Sequence, residues 1–244
     1  MRLSLPGQAV LTEGICEELH WKALEILKAK GIRVHSPDVR RILRKAGASV
    51  DVGLDIVTFP PDLIDEALSS CPHGFDLFDL DGNALPQSQG TILDSVGTYI
   101  EALSWLDCGS DRLRPSTLAD LETGLQVADA LDLIRWTGII VWPTDLPAEK
   151  HIPAATRAIL SRTRKPLIVG FHNERHVRVT MEALQTAAPE LDLGRRPACV
   201  CLSSPTSPLV YDRDSGEALL CALENGMAIL SGPSSIGGAT SPFS

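Results

Sequence analysis

Aromatic residues and positive charge are both scarce in this sequence. Phe, Trp and Tyr make up 5% of 244 residues, so the position of each ring is informative. Lys and Arg number 22 against 31 Asp and Glu, a formal charge of -9. A field of that sign argues against general nucleic-acid binding, which draws on cationic surface to displace counterions. No apolar run reaches the length of a membrane-spanning helix, which argues against an integral membrane protein. Met1 to Val10 lack the basic-then-apolar pattern of a signal peptide. The six cysteines form no CxxC pair, and only Cys199 and Cys201 lie close together. Without an export signal they are expected to be reduced core residues of a cytoplasmic protein. No dinucleotide GxGxxG or phosphate-loop GxxxxGK[ST] follows a strand-like run, and Ser231-Gly232 lacks the GxSxG setting of a serine hydrolase.

The length suits one large domain, or a small one beside a barrel-sized one. Residues 1–90 read as a mixed α+β lead-in packed on the remainder of the chain. Thr12 caps a helix running to Lys30, with Ile15, Leu19, Ala23, Ile26 and Leu27 on one face and Gly31 as its stop. Ser36-Pro37 opens a second helix that ends at Gly47, and Pro60-Pro61 a third, with a short strand near Ile56-Val57 between them. Phe75, Leu77 and Leu80 then alternate with acids before an Asp81-Gly82-Asn83 turn.

Residues 91–244 have a different rhythm. Strand-like runs at Arg135–Val141, Pro166–Gly170, Ala198–Leu202 and Met227–Ser231 are centred near residues 138, 168, 200 and 229. Helical stretches at Ala148–Arg162, Glu174–Ala187 and Ser215–Asn225 fill the gaps, and an earlier unit pairs Ile92–Val96 with a helix from Thr117 to Ala130. Strands alternating with helices at this spacing demand parallel pairing through right-handed crossovers. So even a period favours an α/β fold of the (β/α)8 TIM type over a doubly wound sheet. Only five strands are found, so the barrel is expected to be truncated, with a bare edge strand or a partner that covers it.

In a barrel the site lies at the C-terminal ends of the strands. That rule selects Asp94, Tyr99, Trp142, Phe171, His172, Asn173 and Ser203 as candidate substrate-binding residues. Asp94 is a carboxylate inside an apolar strand, so it is paired, functional or turned outward. Tyr99, Trp142 and Phe171 fall at or beyond three strand ends, with Trp105 nearby. They either pack under loops or form a cage for a quaternary ammonium, each cation–π contact contributing about 0.5–2 kcal/mol. His172 sits at a strand end where an acid, base or ligand would stand, and Asn173 either binds substrate or caps the next helix. His172 and His176 are four apart on a helix, as zinc-binding pairs are. The set is not HExxH and no third ligand follows, so no metal is assigned, and a metal-dependent barrel hydrolase stays an alternative. Ser203 opens a Ser/Thr/Pro loop that either caps a helix or offers hydroxyl donors. Cys201, near a strand end, reads as a buried thiol.

Several segments are familiar in their order. They are Leu19 to Lys28 with Gly31 to Val34, Arg114-Pro-Ser-Thr-Leu-Ala-Asp120 with Ala128 to Leu131, Thr163-Arg-Lys-Pro-Leu-Ile168, Ser207-Pro-Leu209 and Gly237-Gly-Ala-Thr240. On these the chain resembles the trimethylamine methyltransferase family, the B-subunit type of corrinoid-dependent methyltransferases, including its glycine betaine branch. The resemblance spans nearly the whole chain. It implies a (β/α)8 barrel that moves a methyl group from a methylamine or betaine to the cobalt of a corrinoid. The corrinoid would ride on a separate partner protein, with no cofactor bound by this chain itself. A pocket of this kind suits the Tyr99, Trp142 and Phe171 cage, with His172 and Asn173 as donors for a betaine carboxylate. Members of that family are roughly double this length, and the archaeal trimethylamine enzymes carry pyrrolysine in the half that has no counterpart here. A ligand-binding half-barrel without turnover is the non-enzymatic alternative, and a homo-oligomer or a partner supplying the missing strands is the corresponding assembly.

Overall fold

The computed structural model describes residues 12–72, 76–86 and 96–232. In chain order the elements are α1 (Glu13–Ala29), β1 (Ile32–Val34), α2 (Pro37–Lys45), β2 (Ser49–Asp51), β3 (Ile56–Thr58), α3 (Pro61–Ser70), β4 (Asp76–Phe78), β5 (Ala84–Pro86) and β6 (Val96–Thr98). They continue with β7 (Ser104–Asp107), β8 (Arg112–Pro115), α4 (Leu118–Ala130), β9 (Ile134–Gly138), α5 (His151–Arg162), β10 (Leu167–Gly170), α6 (Glu174–Ala187), β11 (Cys199–Ser203), β12 (Val210–Tyr211), α7 (Arg213–Glu224) and β13 (Ala228–Ser231). The described residues divide into two compact units, one drawn from 12–72, 204–217 and 232, the other from 76–86, 96–203 and 218–231.

The first unit is a four-stranded sheet in the order β12-β1-β3-β2, with β12 parallel to β1 and the other pairs antiparallel. Its helices start where the sequence predicts, Thr12 accepting from Ile15 N and Ser36 from Val39 N. Gly31 ends α1 with φ 67°, and a Cβ there would overlap the Val57 carbonyl oxygen, so only glycine fits. Val34, Ala48, Val57 and Phe59 form the core, with Leu27, Val39 and Leu63 packed around it. The apolar face expected on α1 is only partly buried: Leu27 packs on the core and Leu24 is inside, while Ile15, Leu19 and Ile26 are 42%, 53% and 46% exposed.

The second unit is built on a five-stranded, wholly parallel sheet in the order β13-β11-β10-β9-β6. Neighbouring strands follow one another in sequence. Helices α4, α5, α6 and α7 all supply one continuous core, with Leu121, Leu125, Ile152, Ile159, Val177, Leu184 and Ala222 packed on Leu167, Val169, Cys199 and Cys201. Strand alternation sends Ile168 and Val200 to the opposite face, where Leu77, Leu85, Tyr99 and Trp136 join them. Winding every crossover to one side is the barrel habit rather than the doubly wound one. No closed barrel is present among the described residues; the sheet is open, with β6 and β13 at its edges.

Two segments that carry the family resemblance turn out to be structural braces. In the first, Asp120 completes a capping box with Thr117 at the start of α4. Its Oδ2 accepts from Thr117 N at 2.8 Å and its two oxygens take both Arg114 Nη groups at 2.7 Å. Beside it, fully buried Ser116 donates its hydroxyl to Trp142 O at 2.7 Å, and Thr144 Oγ1 donates to Ser116 O at 2.6 Å. In the second, Lys165 Nζ donates to the carbonyls of Ala128, Asp129 and Leu131 at 2.7, 3.1 and 3.0 Å, closing the C-terminal end of α4.

The sequence pattern misses the hairpin of β7 and β8, whose turn is built on Asp107 accepting from Gly109 N and Ser110 Oγ. It also places all six cysteines inside. Cys199, Cys201 and Cys221 are buried, but Cys16, Cys71 and Cys108 are exposed, and all six are free thiols. Burial pushes the Cys201 thiol up to about 12.

Candidate functional site

At the C-terminal ends of the parallel strands the expected residues separate by strand parity. On β10, Leu167, Val169 and Phe171 share one side, and Phe171, 6% exposed, is buried in the helix-packed core. His172 lies two residues beyond the end of β10 and is exposed, against Trp142 and His176. Ser203 follows Cys199 and Cys201 by the same parity and is likewise buried at 6% exposure. Asn173 caps α6, its side chain accepting from His176 N at 3.0 Å. Of the three rings proposed for one cage, Phe171 and Trp142 pack in the helix-side cluster and Tyr99 in the cluster on the opposite face of the sheet. Asp94 lies outside the described residues.

Trp142 and His172 do meet. Their ring centroids are 5.8 Å apart, and Trp142 also lies 5.6 Å from His151, which is tied to Leu146 O at 2.9 Å. His176 stands edge-on to His172 at 6.2 Å. Burial, then the nearby His172 and Arg175 charges, hold the His176 imidazole below its ordinary range, so it is neutral near neutrality.

Tyr99 lies over the ends of β9 and β10. A Cβ at Gly138 would come within 2.7 Å of Tyr99 Cδ2, and one at Gly170 within 2.5 Å of Tyr99 Oη, so both strands need glycine to seat this ring. Beside it is Glu101, a residue that sequence pattern alone passes over. Ile100 N and Glu101 N both donate to Ile139 O, at 3.2 and 2.9 Å, before pairing resumes at Ala102 and Val141. Two residues opposing one is a bulge, and Glu101 occupies it at φ 57°. The left-handed backbone costs about 1–3 kcal/mol for a non-glycine residue. Burial raises the Glu101 carboxyl above the usual range, opposed by the Tyr99 hydroxyl and the His172 charge. Burial likewise drives the Tyr99 hydroxyl upward, with the Glu101 charge adding to it, so it stays protonated. The only sequence signal for Glu101 is an acid set between Ile100 and Ala102-Leu103.

Among the described residues, the buried side-chain polar atoms without a partner are Thr98 Oγ1, Thr137 Oγ1, Glu101 Oε1 and His176 Nδ1. Glu101 follows the end of β6 and His176 stands beside His172 beyond β10, whereas Thr98 pairs with Thr137 and Thr137 with Leu167, the helix-side residue that opens β10. Buried polar groups are ordinarily paired, so the open Glu101 Oε1 is a position where a polar partner can enter. The described residues hold no group of three His, Cys, Asp or Glu side chains arranged for a metal ion. A hollow of about 290 Å³ at the opposite strand ends is lined by Asp81, Arg164 and Arg196, and Arg164 is already committed to Asp81, Leu80 O and Ala187 O.

Comparison with known proteins gives the family. The family model described as trimethylamine methyltransferase (MTTB) matches residues 1–244. The chain belongs to the trimethylamine methyltransferase family. Relatives named trimethylamine methyltransferase MttB come from Desulfitobacterium hafniense, 24% identical over 227 residues, and from Methanosarcina barkeri, 21% identical over 236. MttB2 of Methanosarcina mazei is 23% identical over 244 residues. These alignments cover 91%, 92% and 96% of this chain but 45%, 46% and 48% of the relatives, so the chain spans about half the length of the curated relatives it matches. In this trimethylamine methyltransferase family member, the Arg114-to-Asp120 segment is hydrogen-bonded to the Trp142 loop through Ser116.

Proposed function

We propose that this chain carries the substrate-handling part of a methyltransferase that takes a methyl group from trimethylamine or a quaternary amine of the glycine betaine type. The acceptor is the reduced cobalt of a corrinoid held by a separate protein. The match of residues 1–244 to the family carries this reading. The clustering of Tyr99, Glu101, Trp142 and His172 at the C-terminal strand ends supports it, because that is where a (β/α)8 barrel keeps its chemistry. The five strands, wound to one side, are in this view the first part of such a barrel. The edge of β13 is where a further strand adds, from additional sequence or from a partner.

The reaction is a displacement at carbon. Reduced cobalt supplies the electron pair for the new bond to the methyl group, and the carbon–nitrogen pair leaves with nitrogen. A cationic nitrogen leaves as a neutral amine, so no general acid is needed and His172 is not assigned as a proton shuttle. The residues must instead hold the headgroup and aim one methyl outward. Trp142 and Tyr99 offer aromatic faces for this, each contributing about 0.5–2 kcal/mol. His172 is the nearest donor for a betaine carboxylate.

The test supplies the purified chain with trimethylamine or glycine betaine and free reduced cobalamin. Demethylated amine appearing as reduced cobalamin is consumed supports the reading. A folded chain that binds the amine without product would reduce the assignment to a ligand-binding half-barrel, which the coverage of about half of each relative favours as the second reading. A folded chain that binds neither amine would overturn both.

A further inference from the structure

We propose that Glu101 is the residue that meets the positive headgroup of the ligand, with Tyr99 and His172 holding its carboxyl over the ends of β9 and β10. This rests on the reading of a cationic amine as the substrate class and assigns the residue that selects for the charge. Four observations place it. The bulge opposite Ile139 gives Glu101 a direction that regular pairing would not. Its left-handed backbone, at φ 57°, is a conformation a glutamate adopts only where the surroundings impose it. Its Oε1 is buried and has no partner. The absence of a Cβ on Gly170 seats the Tyr99 hydroxyl, and a Cβ there would stand 2.5 Å from Tyr99 Oη and 3.4 Å from Glu101 Oε1, so the two groups share that strand end.

The groups facing Glu101 are the Tyr99 hydroxyl from the end of β6 and the His172 ring from the end of β10, with His176 and Arg175 behind His172. Tyr99 is held protonated and contributes a donor without a charge. Among the described residues Oε1 has no hydrogen-bond partner, and the charge acting on the carboxyl is that of the titratable His172 ring. Burial then favours the neutral acid, and a bound cation favours the carboxylate. Binding is therefore coupled to loss of a proton. Over the window between the bound and free pKa values, affinity rises with pH. Above both values the carboxylate is already formed and the pH dependence disappears.

The experiment titrates the chain with glycine betaine, trimethylammonium and the tert-butyl isostere of glycine betaine. Calorimetry at several pH values uses two buffers of different ionisation enthalpy. The wild-type chain is expected to bind both cations, to discriminate against the isostere, and to release up to about one proton per cation within that window. Glu101→Gln keeps the shape, and is expected to lose on the order of tenfold in cation affinity together with the proton release and the pH slope. Glu101→Asp is expected to recover part of both. Cation binding by Glu101→Gln with unchanged affinity and pH slope would overturn this assignment and leave the proposed function standing. Binding of neither cation by the folded wild-type chain would overturn the two together.

Discussion

Replacing Asp120 with Asn tests whether the Arg114-to-Asp120 segment braces the strand-end loops. The Asp120 side chain is 10% exposed and takes both Arg114 nitrogens and Thr117 N. The Arg114 guanidinium, aided by the Thr117 donors and opposed by burial, lowers its carboxyl from 3.8 to about 2. A folded pKa below the unfolded one means that the stabilisation is complete above the unfolded value. It fades as pH falls from about 5 towards 2. The full shift corresponds to about 2 kcal/mol, and solvent screening beside the half-exposed Arg114 reduces that to about 1. Asn keeps the shape, cannot carry the charge and presents an amide where two oxygens now accept. The loss near neutrality is therefore expected to be about 1–2 kcal/mol. Urea unfolding followed by tryptophan fluorescence reads it, since Trp105, Trp136 and Trp142 all lie in the unit that contains Asp120. The wild type and Asp120→Asn should differ at pH 7 and converge as the pH approaches about 2. Equal stability at pH 7, or a difference that ignores pH, would refute the reasoning.

Three further outcomes rest on named contacts. Lys165→Met removes three donors from the C-terminal carbonyls of α4 and should cost about 1–3 kcal/mol in chemical denaturation, with the loss concentrated in amide exchange at the end of that helix. Gly170→Ala places a methyl 2.5 Å from Tyr99 Oη, so it should shift the near-ultraviolet signal of the tyrosine and destabilise by about 1–3 kcal/mol; an unperturbed signal would contradict the seat described for that ring. Titration of thiols in the native protein should find Cys16, Cys71 and Cys108 reactive and Cys199, Cys201 and Cys221 protected until denaturant is added.

The parallel sheet was readable because each crossover advertises itself. The strand runs around residues 138, 168, 200 and 229 are apolar on both faces, and Thr117 and Asn173 cap their helices as side-chain chemistry predicts. Unit membership was less visible. The short β12 pairs with β1 across a long sequence separation, and two residues of Val210-Tyr211 leave no periodic mark. In the site, the rule that strand ends carry function selects one end of the sheet but not a side of each strand. Counting parity along Leu167, Val169 and Phe171 sends Phe171 into the helix-side core. Glu101 escaped because its place depends on a bulge and a left-handed backbone, and both arise from pairing with Ile139 rather than from local propensity. The apolar stripe on α1 shows the reverse case, a helical pattern correctly read whose burial the described residues supply only in part.

The central claim is that Trp142 and its strand-end neighbours hold a cationic amine. Calorimetric titration of glycine betaine and trimethylamine into the wild type, Trp142→Ala and Phe171→Leu tests it most directly. The account predicts saturable binding by the wild type, loss of binding in Trp142→Ala, and retention in Phe171→Leu, because Phe171 faces the helix-side core. Loss in Phe171→Leu with retention in Trp142→Ala, from folded chains, would contradict it.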